Sequence, residues 1–129
     1  MSAMSDYLEN EILDHILSTG SWTMPTDVYL GLSLASFADA NSGTELSGNG
    51  YARQVMSFAA ASSGSAATNA QINFPTATGS TWGSVAYWGI FNAASSGNLL
   101  IHGSFTTAKT VGVGDILRVN SGDITVTAA

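Results

Sequence analysis

The sequence contains no cysteine, which excludes disulfide bonds and thiolate metal ligands as sources of stability. Charge is also scarce, with three basic residues against nine acidic ones and a net charge of −6. This balance disfavours nucleic acid and anionic membrane surfaces as partners. The longest gap covers residues 54–108, which contain no Asp, Glu, Lys or Arg. Because acid–base, metal and phosphate chemistry mostly depends on such side chains, the gap argues against an enzyme.

Long apolar runs and targeting signals are missing as well. Polar residues interrupt every apolar run well before the roughly 18 residues that a membrane helix needs. The first residues are acidic and lack the basic and apolar regions of a signal peptide, so we expect synthesis in a cytoplasm. A chain of 129 residues suits one compact domain. We predict a helical arm over residues 1–20 and a β domain over residues 26–129.

The N-terminal segment has the pattern of an amphipathic helix. Ser5 or Asp6 can cap a helix over residues 7–19, and Gly20 fits its C-terminal stop. Its apolar face covers an arc of roughly 200°, which is wide for so short a helix. The helix therefore either packs fully onto its own sheet or packs partly against a neighbouring subunit. The interface candidates on this face are Leu8, Ile12, His15 and Ile16.

Everything after Pro25 has the pattern of short strands. Residues 27–34 alternate strictly, with Val28, Leu30 and Leu32 on one face. Further strands are predicted at residues 51–58, 71–74, 84–91 and 98–105, followed by two pairing strands at residues 114–120 and 122–127. Loops are predicted at residues 35–50, 92–97 and 59–69, the last being an exposed, mobile Ala/Ser segment. The pattern predicts an antiparallel β-sandwich or jelly roll of seven to eight strands with one N-terminal helix.

No group of residues has the spacing of a catalytic or cofactor site. His15 and His102 are the two histidines, and neither lies in a nucleophile or zinc motif. Asp39, Asn41 and Glu45 share one loop, but they lack the register of a calcium loop. We therefore predict no catalytic residue, no cofactor and no bound metal ion.

Three further residues are candidates for contacts. Arg53 and Arg118 are rare charges inside predicted strands, so each should face solvent, pair with an acid or lie at an interface. Asp115 and Asp123 are the expected acidic partners of Arg118. Trp82, in a predicted turn at residues 79–83, is the candidate for an exposed surface on which a sugar ring stacks.

Seven short motifs occur in a fixed order over nearly the whole chain, and together they resemble a group of small virion proteins of tailed phages, often labelled tail fibre proteins. The resemblance implies an oligomeric, non-enzymatic component of the phage particle, and it carries no active-site residues. The motifs are Leu8-Glu-Asn-Glu-Ile-Leu-Asp-His15, Val28-Tyr-Leu-Gly-Leu-Ser33, Gly50-Tyr-Ala-Arg53, Trp82-Gly-Ser-Val85, Gly97-Asn-Leu-Leu100, Lys109-Thr-Val111 and Gly114-Asp-Ile-Leu-Arg118.

The predicted position within the virion depends on the lack of a fibre-shaft repeat in the sequence. A fibre shaft needs a heptad, a collagen triplet or a β-helix period, and none is present. We therefore predict a capsid decoration (cement) protein, as a homotrimer on the major capsid protein. The alternative is a tail fibre or tail-tip module that contacts other tail proteins and could bind host-surface carbohydrate. A free-standing carbohydrate-binding module and a glycan hydrolase are the competing classes.

Overall fold

The computed structural model describes residues 2–128, which form one helix and nine mostly short β-strands. The prediction of a mainly β, antiparallel fold with one N-terminal helix is confirmed. In chain order the elements are β1 (Ser2–Met4), α1 (Asp6–Ile16), β2 (Val28–Ser33), β3 (Gln54–Met56), β4 (Ser65–Ala67), β5 (Ile72–Asn73), β6 (Gly83–Phe91), β7 (Leu99–Val111), β8 (Arg118–Val119) and β9 (Thr125–Thr127).

A five-stranded antiparallel sheet with the order β1-β7-β6-β2-β3 organises the fold. Its centre is the β6–β7 hairpin, closed by the loop predicted at residues 92–97. Two separate two-stranded ladders, β4-β9 and β5-β8, complete the strand pairing. On one face of the large sheet, side chains of β2 and β6 share the main core with Ile72, Val119 and Ile124 of the ladder segments. The second layer therefore consists of two short ladders rather than one continuous sheet.

The opposite face of the sheet carries a smaller core. Phe37, Phe91 and Leu99 form this cluster beneath the loop at residues 35–50. Gly31 and Gly89 lie directly opposite each other on β2 and β6. A Cβ atom on Gly31 would lie 2.9 Å from the Phe91 ring, and one on Gly89 would lie 2.8 Å from Leu99. The two glycines are required there because the aromatic and leucine side chains rest directly on the backbone.

The helix begins as predicted and ends earlier. The Ser5 hydroxyl accepts a hydrogen bond from the Leu8 N–H at 3.2 Å and donates one to the Leu99 carbonyl at 2.5 Å, so the N-cap also ties α1 to β7. The predicted stop at Gly20 is wrong, since Ser18 takes the left-handed backbone conformation at φ 64°. The N–H groups of residues 19 and 20 then both donate to the Asp14 carbonyl, which closes the helix one turn before the glycine.

One prediction about strand pairing and one about a loop are wrong. The segments at residues 114–120 and 122–127 do not pair with each other, because β8 pairs with β5 and β9 pairs with β4. The predicted turn between them is present, with the Asp123 N–H donating to the Asn120 carbonyl at 3.0 Å. The predicted loop at residues 59–69 contains β4, so only its first half, residues 59–64, is wholly exposed.

An ion pair between Arg53 and Glu45 fastens the loops over the smaller core. Two guanidinium nitrogens donate to the two Glu45 carboxylate oxygens, at 2.8 and 2.7 Å. The third nitrogen donates to the carbonyls of Ala93 and Ser96, at 2.9 and 2.8 Å, in the β6–β7 turn. The guanidinium carbon also lies 3.6 Å from the centroid of the Phe91 ring. Four N–H groups of the Arg53 side chain therefore donate to other residues of the same chain, and we call the arrangement the Arg53 clamp.

Tyr51 extends the Arg53 clamp into the large sheet. Its hydroxyl donates to Glu45 and accepts from the Leu32 N–H at 3.0 Å. Burial, then the hydrogen bond to Glu45 and the negative charge of Glu45, raise the pKa of the Tyr51 hydroxyl well above its ordinary value of 10.0. The neutral phenol is therefore the form that the fold requires.

Breaking the Arg53 clamp should destabilise the fold. The Arg53 and Glu45 side chains are 8% and 22% exposed, so Arg53→Ala would leave a largely buried carboxylate without its cation. We expect a loss of about 2–4 kcal/mol in the free energy of unfolding, measured by urea denaturation. The matched control is Arg118→Ala at an exposed strand position, which should change stability by about 0.5 kcal/mol or less. Equal effects of the two substitutions would contradict a structural role for the clamp.

The raised pKa of Tyr51 also predicts how stability depends on alkaline pH. The folded state holds this proton more tightly than the unfolded chain does, so the contribution of Tyr51 is complete below about pH 10 and declines as the pH rises beyond it. Tyr51→Phe removes this titration together with two hydrogen bonds. The variant should therefore be less stable at neutral pH but lose stability less steeply between about pH 9 and 11. Parallel unfolding curves for the variant and the unchanged protein over that range would refute the assignment.

Candidate interaction surfaces

The helix presents most of its apolar side chains to solvent. Leu8 is buried at 5% exposure, and Ile12 is half-buried. In contrast, Leu13, Ile16 and Leu17 are 54%, 67% and 65% exposed. We call these last three residues the helix patch. The sequence left two arrangements of this helix open. The structure excludes the first, because the apolar face is not wholly packed onto the chain's own sheet.

An apolar groove opens beside the N-terminal half of the helix. It has a volume of about 320 Å³, and Met24, 80% exposed, stands at its rim. The segment containing Trp22 and Met24 is linked to the helix, because the Trp22 N–H donates to Nδ1 of His15 at 3.3 Å. The lining residues are all apolar: Leu8, Trp22, Met24, Pro25, Val28, Phe58, Ala66, Ile90, Leu100, Ile101 and Val126. The positions of Met24 and Pro25 in a groove were not predictable from the sequence, because a loop between two elements has no periodicity to mark its exposed face.

The interface candidates divide into two groups. Leu8 and Arg53 are held inside the chain, Leu8 in the groove wall and Arg53 in the clamp. His15, Ile16 and Arg118 are exposed and Ile12 is half-buried, and an interface role for these four residues stays a prediction. The acidic partners predicted for Arg118 are wrong, because its Nε donates to Asn73 Oδ1 at 2.8 Å. Within residues 2–128 it forms no ion pair with Asp115 or Asp123.

Trp82 is not the exposed stacking surface that the sequence predicted. It is 4% exposed, and its indole N–H donates to the Asn49 carbonyl at 2.9 Å. Its ring meets Tyr51 and Phe74 edge to face, with centroid separations of 5.6 and 6.4 Å. A buried tryptophan fills volume and satisfies its donor in this way. A turn in the sequence does not reveal that the side chain points inward.

The two carboxylates of the loop that lacks the calcium register, those of Asp39 and Glu45, have separate partners in the structure. Asp39 Oδ1 lies 2.8 Å from His102 Nε2 on β7, and the Asp39 carbonyl accepts the Asp6 N–H at the start of α1. Glu45 belongs to the Arg53 clamp. No group of three or more His, Cys, Asp or Glu side chains suited to a metal ion occurs in the described part of the chain. Nor does any helix between residues 2 and 128 have the length and apolarity to cross a membrane.

Comparisons with known proteins bear on the family to which the chain belongs. A search of curated proteins returned no match. One protein-family profile matches residues 3–127, and its description is Podophage GP4 fiber I protein gp80. This match confirms the resemblance to small virion structural proteins of tailed phages. Because it spans nearly the whole sequence, the chain belongs to the family of the podophage GP4 fiber I protein gp80.

Proposed function

We propose that this protein is a non-enzymatic, self-associating subunit of a podophage fibre, carried in the virion. The family description names a fiber protein and so favours the fibre role over the capsid decoration role predicted from sequence. The absence of a shaft repeat in the sequence fits a globular module of the fibre better than its shaft. Its partners would be further copies of itself, as a trimer, and neighbouring tail proteins.

The helix patch is the observation that carries this proposal. Its residues follow the spacing i, i+3 and i+4, so they lie together on one side of the last turns of α1. Single exposed apolar residues are ordinary on a protein surface, whereas three large ones on one helix face indicate a contact surface. Complete burial of these side chains between two subunits would contribute about 1 kcal/mol or more for each side chain to the free energy of association.

The neutral surface of the chain supports close contact between copies. The exposed residues 59–64 carry only Ala, Ser and Gly, and residues 92–97 at the hairpin turn are equally uncharged. Such segments can approach an identical subunit without bringing like charges together. The net charge of −6 comes largely from elsewhere, including four carboxylates on the helix and its cap region: Asp6, Glu9, Glu11 and Asp14.

Substitutions in the helix patch should weaken self-association while leaving the fold intact. We expect Leu13→Ser/Ile16→Ser to raise the dissociation constant of the oligomer by about tenfold or more, since each lost side chain removes about 1 kcal/mol of burial. Light scattering coupled to size-exclusion chromatography, over a range of protein concentrations, measures this shift.

The matched control is Asn10→Ser/Asp14→Asn, which changes two exposed polar positions of the same helix. It should keep the parental oligomer, and circular dichroism should show the same helix content in all three proteins. A monomeric parent protein, or equal dissociation constants for the patch and control variants, would contradict the proposal.

A further inference from the structure

A large irregularity interrupts the pairing of the two central strands. Val85 lies opposite Lys109, but two residues further along β6 Tyr87 lies opposite Ser104. A single residue of β6, Ala86, therefore faces the four residues 105–108 of β7. Extra residues of this kind change the direction of side chains and are common beside functional sites. We call residues 105–108 the β7 bulge.

The β7 bulge forms one wall of a polar cleft, and the segment at residues 123–125 forms the other. The cleft has a volume of about 380 Å³, within the range of small-molecule sites. Trp88 and Ile124, both at least 96% buried, supply an apolar floor. Four residues that carry hydroxyl groups also line the cleft: Ser104, Thr106, Thr107 and Thr125.

Lys109 lines the cleft and forms no ion pair with a described residue. Of the three basic residues, Arg53 is paired with Glu45 and Arg118 donates to Asn73. Across residues 2–128 no carboxylate lies within 4 Å of the Lys109 ammonium group. That group lies instead 5.5 Å from the centroid of the Phe105 ring in the bulge. In this part of the chain the Lys109 ammonium group is therefore an unpaired positive charge in an acidic protein, close to residues that carry hydroxyl groups.

Asp123 lines the same cleft and carries the opposite charge. Its Oδ2 accepts the Asn120 N–H at 3.0 Å, which fixes the carboxylate at the turn. A carboxylate has lone pairs for several hydrogen bonds, so Asp123 can still accept from hydroxyl groups of a ligand. The residues that line the cleft thus include one cation, one strong acceptor, several hydroxyl groups and one phenyl ring.

We infer that this cleft binds an acidic sugar residue of the uronic acid type. The sugar carboxylate pairs with Lys109, its hydroxyls donate to Asp123 and exchange hydrogen bonds with the Ser and Thr hydroxyls, and its C–H face lies against Phe105. A neutral sugar would leave Lys109 unused. A phosphate dianion would face the Asp123 carboxylate with one cation to offset it, so the set of groups favours the acidic sugar.

The site lies outside the helix patch, so the test separates it from self-association. The probe is an α-1,4-linked trimer of galacturonic acid, titrated by calorimetry against the full chain in its native oligomeric state. The neutral trimer of galactose with the same linkage is the ligand control. We expect the acidic trimer to bind at least about tenfold more tightly, because its carboxylate forms a charged hydrogen bond that the neutral trimer cannot form.

Three variants assign the effect to Lys109. Lys109→Gln should weaken binding of the acidic trimer by about tenfold, while Lys109→Arg, which keeps the cation, should stay close to the parent protein. Arg118→Gln removes an equal charge from outside the cleft and should leave binding unchanged. Equal binding of the two trimers, equal losses in Lys109→Gln and Arg118→Gln, or no binding at millimolar ligand would overturn the inference. None of these outcomes alters the oligomer measurement, so the two proposals fail independently.

Discussion

The Arg53–Glu45 ion pair is the interaction on which the arrangement of the loops depends. One guanidinium group joins the loop that carries Glu45, the strand segment that carries Arg53 and the turn at residues 92–97. These segments cover the smaller core around Phe91, whose ring lies beneath the same guanidinium. A buried pair of this kind adds little net stability over apolar residues of the same size, but removing either partner leaves a buried charge and is strongly destabilising. A chain with three basic residues commits one of them to this task.

The parts of the fold that local patterns determine were predictable. The alternation of Val28, Leu30 and Leu32 marked β2, Ser5 marked the start of the helix, and the loop at residues 92–97 marked the central hairpin. The failures concern contacts between distant segments. Residues 114–120 and 122–127 look like a hairpin because they are adjacent, yet β8 and β9 pair with β5 and β4, some forty-five to sixty residues earlier in the sequence. The register shift that forms the β7 bulge leaves no trace in a single sequence, because it depends on which residue of β6 each residue of β7 meets.

The candidate surfaces were likewise predictable where local patterns determine them, and not where contacts between distant segments do. Periodicity identified the helix face, but only the three-dimensional arrangement separates buried Leu8 from exposed Ile16. Arg53 and Trp82 were notable in the sequence for their chemistry, and both proved to be internal. Lys109 marked merely the end of the uncharged stretch, and its setting becomes apparent only beside Phe105 and Asp123. Within residues 54–108, β6 is mostly buried, which accounts for the missing charge on that strand. The exposed segments of this stretch are also neutral, and the proposed contact between subunits would account for that.

Self-association through the helix patch can be measured by hydrogen–deuterium exchange. The exchange of peptides covering residues 6–17 would be compared at high protein concentration and after dilution below the dissociation constant. We expect the last turns of the helix, around Leu13, Ile16 and Leu17, to exchange more slowly in the concentrated sample. We expect no such difference at the β7 bulge. Unchanged exchange of the helix, with protection appearing elsewhere in the chain, would rule out the helix patch as the contact surface.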